Sequence, residues 1–235
     1  MIVSTVVRER VMVLLGALAC GCLTIGSMAL VYSELAMSSP SAMISAWEVG
    51  EPMPDHRHRR QALARIGSSI AVNPLAAQQR MDLGRFFAWH AARHRPGAAR
   101  AVFYSELAAG RFAEAVLVRP TWGFAWALLA EQWAMSGQPQ ERVRDALRRA
   151  VQLAPYEPEV QLKTLWLGLA LWETHDDALR KQLIASLERI ASQREYFARA
   201  VAIALHHRHE DLLDNIATLP WQQELLARLE QVRAQ

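Results

Sequence analysis

Between residues 120 and 155, apolar residues recur at the spacing of two consecutive helices. The first set is spaced three and four residues apart: Trp126, Leu129 and Trp133. After a break at Gly137-Gln138-Pro139, the second set follows at spacings of four and three: Val143, Leu147 and Ala150. This pattern predicts an antiparallel helix pair, in which the bulky side chains fill the interface. The small residues Ala130 and Ala150 let the two backbones approach each other.

The order of residue types in this stretch is similar to that of a tetratricopeptide repeat. That repeat reads Trp-x2-Leu-Gly-x2-Tyr, then Ala-x3-Phe and Pro. Four positions of the chain hold substitutes for its Gly, Tyr, Ala and Phe, in that order: Ala130, Trp133, Val143 and Leu147. The turn between the helices is one residue longer than in the consensus, and Leu83-Gly84 before Phe87 repeats the first half of the signature. The resemblance implies an all-α, tetratricopeptide-like helical-repeat domain, an α-solenoid whose terminal repeats are atypical because they cap the stack.

The spacing of helix-ending prolines supports the repeat interpretation in the middle of the chain. Three prolines are predicted to end helices: Pro74, Pro120 and Pro155. The leading aromatic of the next repeat would fall six residues later, at Arg80, Trp126 and Gln161 respectively. Only Trp126 is aromatic, and a second Leu-Gly pair, at 167–168, is displaced by three residues. The predicted register is therefore regular in the centre and loose at both ends.

An uncharged apolar segment near the N-terminus predicts a membrane anchor. Residues 11–32 carry no charge, and these 22 residues span roughly 33 Å as a helix, enough to cross a bilayer core. Arg8 and Arg10 precede the segment, and no further Arg or Lys occurs before Arg57, so the positive-inside rule predicts a cytoplasmic N-terminus. We expect residues 1–10 to be cytoplasmic and residues 11–33 to form an uncleaved transmembrane anchor.

Two other fates of this segment stay open. A cleaved signal peptide would use the small-x-small sequence Ala17-Leu18-Ala19, although the apolar run continues for a dozen residues beyond it. A lipoprotein would be modified at Cys20. Cys20 and Cys22 are the only cysteines of the chain, so no disulfide is expected in the rest of the protein.

Turn-forming residues follow the apolar segment. Ser38-Ser39-Pro40-Ser41, Gly50, Pro52 and Pro54 predict that residues 34–55 form an irregular linker that lifts the domain off the membrane. Residues 56–235 lack strand alternation and are predicted to form the helical domain. Its first helix begins with the basic residues 56–60, which we expect to be a solvated helix start. Contact with anionic headgroups or an acidic polymer is the alternative.

Motifs for catalysis or cofactor binding do not stand out in the sequence. The chain has no Gly-rich phosphate loop and no Gly-x-Ser-x-Gly elbow, and adjacent acidic pairs such as Asp176-Asp177 diverge on a helix. His206 together with His209 or Glu210 could reach one metal ion, but no established metal motif is present. We therefore expect a non-enzymatic protein without cofactor or metal, and the predicted topology argues against nucleic acid as a partner.

The repeat geometry predicts a partner-binding face on the first helix of the central pair. If Trp126, Leu129 and Trp133 face the second helix, a different set faces the concave groove: Phe124, Ala127, Glu131 and Met135. These four are the candidate site residues, and ordinary exposed helix positions are the alternative. The tryptophans also suggest stacking on sugar rings, but helical spacing favours a core position for Trp126 and Trp133. Trp122, at the helix entry, is less determined.

The stretch at residues 119–130 (RPTWGFAWALLA) resembles the VpsP-like exopolysaccharide-biosynthesis accessory proteins. The apolar, tryptophan-bearing run around residues 165–172 and the N-terminal membrane helix are similar too. The resemblance implies a role in assembling or exporting polysaccharide at a bacterial inner membrane, with the C-terminal domain in the periplasm. The partners would be other proteins of that machinery, bound without chemistry.

Two alternative functions remain. One is a periplasmic repeat chaperone for another pathway, such as cytochrome c maturation, which would hold an apocytochrome peptide in its groove. The other is a detached regulatory domain of a polysaccharide polymerase or ligase, although an enzyme of that type is expected to have many more membrane spans.

Overall fold

The computed structural model describes residues 2–48 and 55–233, and within these ranges the chain forms helices and no strand. The predicted all-α class is therefore confirmed. The α-helices are, in chain order, α1 (Ile2–Glu48), α2 (His56–Val72), α3 (Ala77–Ala92), α4 (Ala99–Val118), α5 (Gly123–Met135), α6 (Gln140–Leu153), α7 (Pro158–Ala170), α8 (Asp177–Ala191), α9 (Arg194–His207), α10 (Asp211–Asp214) and α11 (Pro220–Arg233). A short 3-10 turn, Trp172–Thr174, follows α7.

The chain divides into two compact units, residues 1–83 and residues 84–235. The first unit contains α1, α2 and the beginning of α3. The second contains the remainder of α3 and all later helices. A single helical domain at residues 56–235 stays a prediction, and α2 lies in the same compact unit as the apolar N-terminal helix.

Helix α1 is long and apolar enough to cross a membrane. The qualifying segment is Leu14–Ala46, with a mean hydropathy of 2.1 in its most apolar stretch, and no other part of the described chain buries that stretch. The large apolar side chains in its first half, including Leu23, Ile25 and Met28, are at least half exposed. Length and composition thus agree with the predicted anchor.

The same helix continues where an irregular linker was predicted. It runs without interruption through residues 34–48, with Pro40 inside it, so the linker prediction is wrong for these residues. Residues 49–54 lie outside the described residues. Residues 34–48 are helical because tertiary packing overrides the local preferences of serine and proline. In this stretch Met37 and Ile44 are buried, at 4% and 1% exposure.

Buried polar contacts hold α1 within the first unit. The hydroxyls of Ser33 and Ser69 lie 2.7 Å apart, which ties α1 to α2. Ser41 donates to the Asp82 carboxylate at 2.7 Å, and Gln79 donates to Glu34 at 3.2 Å, which ties α1 to α3. Ser33 directly precedes the predicted linker and Ser41 lies within it. Both serines therefore supply hydrogen bonds between packed helices.

In the second unit, helices pack both on the next helix and on the next but one. Helix α5 contacts α6 and α7, α6 contacts α7 and α8, and α7 contacts α8 and α9. Helices α5, α7 and α9 therefore form one row, and α6 and α8 lie in a second row. Trp126 and Trp133 pack against a buried cluster that includes Val143 and Leu147 of α6, as the sequence predicted.

Two glycines allow close approaches between consecutive helices. A Cβ atom built on Gly168 of α7 would meet the Leu183 side chain of α8 at 2.6 Å. A Cβ atom on Gly84 of α3 would overlap the Phe112 ring of α4 in the same way. Both glycines follow a leucine, so each predicted Leu-Gly pair marks a point where a bulky side chain of the next helix fits against a bare backbone.

Helix ends in the second unit have identifiable causes. Gly97 and Gly137 adopt positive φ angles of 78° and 72° in the turns before α4 and α6. Asp176 caps α8, and its side chain accepts a hydrogen bond from the Leu179 amide at 2.8 Å.

The helix predicted for residues 210–218 is shorter in the structure, because only the single turn of α10 is helical.

Candidate functional site

An open cavity of about 250 Å³ lies across the row formed by α5, α7 and α9. We call it the row groove. Its lining residues come from all three helices: Glu131 from α5, Glu159, Leu162, Lys163 and Trp166 from α7, and Arg199 and Ile203 from α9. The groove is therefore built from three helices that are not consecutive in the sequence.

The spacing of residues on α7 explains why this helix supplies most of the groove. Glu159, Leu162, Lys163 and Trp166 follow at intervals of three, one and three residues, which places them along one face. The rest of the helix surface is largely buried, with Leu165 at 1% and Leu169 at 2% exposure. The predicted burial of this helix on most sides is thus confirmed, and the groove occupies its remaining face.

Two ion pairs cross the groove from one helix to the next. Arg199 of α9 donates to both carboxylate oxygens of Glu159 on α7, at 2.6 and 3.1 Å. Lys163 of α7 lies 3.8 Å from a carboxylate oxygen of Glu131 on α5. The groove is therefore balanced in charge, with two cations and two carboxylates.

The ion pair between α7 and α9 shifts both partners toward their charged forms. Hydrogen bonds from Arg199 hold the pKa of the Glu159 carboxyl below its ordinary value, and the charge of Lys163 adds a smaller contribution. The Glu159 carboxylate in turn raises the pKa of Arg199. Both side chains are about half exposed, so the pair contributes little to stability and its charges remain accessible to a partner.

An exposed tryptophan forms one edge of the groove. Trp166 is 42% exposed, and its ring stacks on His206 with centroids 4.7 Å apart and planes inclined by 26°. His207 meets the same ring edge-on, also at 4.7 Å. Burial lowers the pKa of His207, and nearby His206 and His209 act in the same direction. Two imidazoles thus fix the orientation of the indole, whose partial exposure makes it available for stacking or apolar contact.

Only one of the four predicted partner-binding residues lines the groove. Glu131 does, but Ala127 is only 3% exposed and lies in a buried cluster with other residues of α6 and α7, so its prediction is wrong. Phe124 packs against that cluster. Met135 is partly buried and accepts a weak hydrogen bond from Gln132 at 3.8 Å. The cause is the packing of α7 against α5, which covers the face predicted to be open.

The groove residues on α7 and α9 were not predicted. A signal for them is present in the sequence: within an apolar helix, the polar residues Glu159 and Lys163 recur four residues apart, next to a tryptophan. Hydrophobic periodicity alone does not tell which helices share a surface, so Arg199 and Ile203 have no comparable local signal.

The histidines considered as metal ligands lie in different aromatic contacts. His206 stacks on Trp166, whereas the ring of His209 lies 5.5 Å from that of Trp172. Within the described ranges, no group of three or more His, Cys, Asp or Glu side chains is arranged to hold a metal ion. The basic start of α2 is exposed, and Asp55 caps it by accepting a hydrogen bond from the His58 amide.

No family model matches the chain, and a search of curated proteins gives no significant match.

Proposed function

We propose that this chain is a membrane-anchored helical-repeat protein that binds a segment of a partner protein in the row groove. It acts as a non-catalytic accessory protein in bacterial exopolysaccharide biosynthesis or export. The observation that carries the proposal is the groove itself, in which three helices from successive pairs present two ion pairs and a half-exposed tryptophan.

The packing of the second unit supports a tetratricopeptide-like arrangement. In helical-repeat proteins each pair stacks on its neighbour, so the first helices of successive pairs line one surface. Here α5, α7 and α9 form that row, and α6 and α8 lie in the other. A close approach at Gly84 falls where the repeat signature has its glycine, and a second one, at Gly168, lies three residues beyond that position.

The chemistry of the groove supports a peptide segment as its occupant. Exposed ion pairs contribute roughly 0–1 kcal/mol each, so charged side chains of a partner can exchange with Glu131, Lys163, Glu159 or Arg199 at small cost. Ile203 offers apolar contact beside those charges, above the buried Leu162, and Trp166 offers a flat anchor at the edge. A segment that alternates charged and apolar side chains matches this lining.

The membrane topology and the pathway rest on the sequence. Arg8 and Arg10 before the apolar run favour a cytoplasmic N-terminus and a domain on the periplasmic side of the inner membrane. The resemblance of residues 119–130 to the VpsP-like accessory proteins favours a polysaccharide assembly or export machinery as the partner.

Site-specific photo-crosslinking in cells tests the proposal. A photoreactive amino acid replaces Glu131 in the groove, and in a control it replaces Asp145, which is exposed on α6 and also forms an ion pair with a nearby basic residue. We expect position 131, and not position 145, to capture an envelope protein whose own deletion abolishes polymer secretion. Identical products from both positions, or no product from position 131, would contradict the proposed groove function.

A further inference from the structure

The first unit carries an apolar turn at the level where the membrane-spanning stretch of α1 ends. Ser69, near the end of α2, lies beside Ser33 of α1, with the two hydroxyls 2.7 Å apart. Gln79, near the start of α3, donates to Glu34 at 3.2 Å. The turn between α2 and α3 therefore begins and ends next to residues 33–34, one position beyond the uncharged run.

The direction of α2 places this turn on the membrane side of Ser33. Seven residues separate the end of α1 from the start of α2, and α2 reaches Ser33 only at Ser69, so the two helices are antiparallel. Residues 70–72 thus continue past Ser33 toward the apolar half of α1. Val72 lies about 4.5 Å further along than Ser69, at a rise of 1.5 Å per residue.

The turn is apolar and exposed. No charged residue occurs from Ile66 to Gln79, and Arg65 and Arg80 flank this run. Leu75 at the tip is 78% exposed, and Val72 is 40% exposed. Large apolar side chains at the tip of a turn are unfavourable in water, but they are favoured where a protein contacts a membrane.

The opposite end of α2, its N-terminus, is basic rather than apolar. Residues 56–60 read His-Arg-His-Arg-Arg. Arg57 lies twelve residues before Ser69, which puts it about 18 Å from the level of Ser33 along the helix. The charged end of α2 therefore lies far from the apolar stretch of α1, and the uncharged end lies beside it.

We propose that the turn between α2 and α3 inserts Val72 and Leu75 into the interfacial layer of the lipid bilayer, next to the point where α1 leaves it. This inference rests on the proposed membrane span of α1. Continuity with that span identifies lipid as the occupant, because the exposed Tyr32 and Leu35 of α1 lie at the same level. The first unit then has two attachments to the membrane, and α1 cannot rotate freely about its own axis.

Spin labels at single cysteines test the insertion. The full chain, with Cys20→Ala and Cys22→Ala, is labelled at Leu75→Cys, Leu30→Cys or Arg57→Cys and reconstituted in vesicles of phosphatidylethanolamine and phosphatidylglycerol. All three positions are exposed, so the label does not require repacking. Collision rates with oxygen, which concentrates in the bilayer, are compared with those of a water-soluble nickel chelate.

We expect the ratio of oxygen to nickel accessibility at Leu75 to approach that at Leu30 and to exceed that at Arg57 several-fold. A ratio at Leu75 equal to that at Arg57, with Leu30 in lipid, would overturn the insertion and leave the anchor standing. An aqueous ratio at Leu30 would overturn the membrane span, and the insertion with it.

Discussion

The side-chain amide of Gln161 donates a hydrogen bond of 2.5 Å to the carbonyl oxygen of Pro155, six residues earlier. Trp126 makes the equivalent contact, from its indole Nε1 to the carbonyl oxygen of Pro120 at 2.8 Å. Two chemically different side chains thus close the same six-residue connection, at the entry to α7 and at the entry to α5. Gln161 therefore makes the same contact as Trp126, although it is not the aromatic residue that the repeat signature would have there.

The Pro155 carbonyl also predicts a non-additive pair of substitutions. Arg189 of α8 donates its Nε to the same oxygen at 2.8 Å, so either donor remains when the other is removed. We expect Gln161→Leu and Arg189→Leu each to cost about 1 kcal/mol of unfolding free energy. The double variant should cost about 1 kcal/mol more than the sum, because the carbonyl then lacks a protein donor. Denaturant unfolding in detergent measures the cycle, and simple additivity would contradict the shared contact.

The close approach between α7 and α8 predicts opposite effects for two glycine substitutions. In Gly168→Ala the new methyl group meets Leu183, which is fully buried, so we expect a loss of about 1–3 kcal/mol. Gly110→Ala in α4 is the matched control, since nothing lies within 4 Å of the added atom. That change should stabilise the helix by about 0.5–1 kcal/mol. Equal melting temperatures for the two variants would contradict the prediction, because they would show that α7 and α8 move apart without a loss of unfolding free energy.

The ion pair across the groove predicts a loss of binding without a loss of stability. Arg199→Gln removes the cation opposite Glu159, and we expect several-fold weaker crosslinking from position 131 with a stability change within about 0.5 kcal/mol. The matched control is Arg148→Gln, which breaks the 2.7 Å ion pair between α6 and Asp176 at the start of α8. Crosslinking should be unchanged in that variant. A similar decrease in both variants would point to a general effect of removing an arginine.

The buried His175 predicts a pH dependence of stability. Burial lowers the pKa of this imidazole, and the charges of Arg144 and Arg180 add to the shift. The unfolded chain takes up the proton near the ordinary pKa of about 6.5, whereas the folded protein takes it up at lower pH. The stabilising contribution of neutral His175 is therefore complete above about pH 6.5 and is lost as the pH falls toward the lower pKa of the folded state.

Replacing His175 isolates this contribution. Between about pH 7.5 and 5.5, the unfolding free energy of the native protein should fall more than that of His175→Gln, which stays neutral throughout. His207, whose pKa is also lowered, is present in both proteins, so its effect cancels in the comparison. Parallel curves for the two proteins would contradict the buried neutral state of His175.

The helices of the second unit were largely predictable because their signals are local. Apolar residues at spacings of three and four predicted a helix pair between residues 120 and 155 with a break at 137–139, and α5 and α6 are separated at that break. The continuation of α1 was not predictable in this way. Ser33 and Ser41 satisfy their hydroxyls on α2 and α3, and Pro40 is buried within the helix, so contacts with later residues decide the structure of residues 34–48.

The groove was only partly predictable, because it depends on which helices stack. Glu131 was predicted to face a groove and it lines this one, but local periodicity does not define where α7 packs against α5. Since α7 packs directly on α5, Ala127 becomes buried, and the accessible surface shifts to Lys163 and Trp166. Local periodicity identifies the faces of one helix, whereas a surface shared by three helices requires their relative positions.

A deletion of the gene, complemented with groove variants, tests the proposed function most directly. Secreted polysaccharide is measured together with haem-stained c-type cytochromes, with Lys163→Gln/Arg199→Gln as the groove variant and Arg148→Gln as the control. We predict lost or shortened polymer with normal cytochromes in the deletion, rescue by the native chain and the control, and no rescue by the groove variant. Normal polymer with missing cytochromes would contradict the polysaccharide role and favour a chaperone for cytochrome maturation. Full rescue by a groove variant that is present at native levels would contradict the role of the groove.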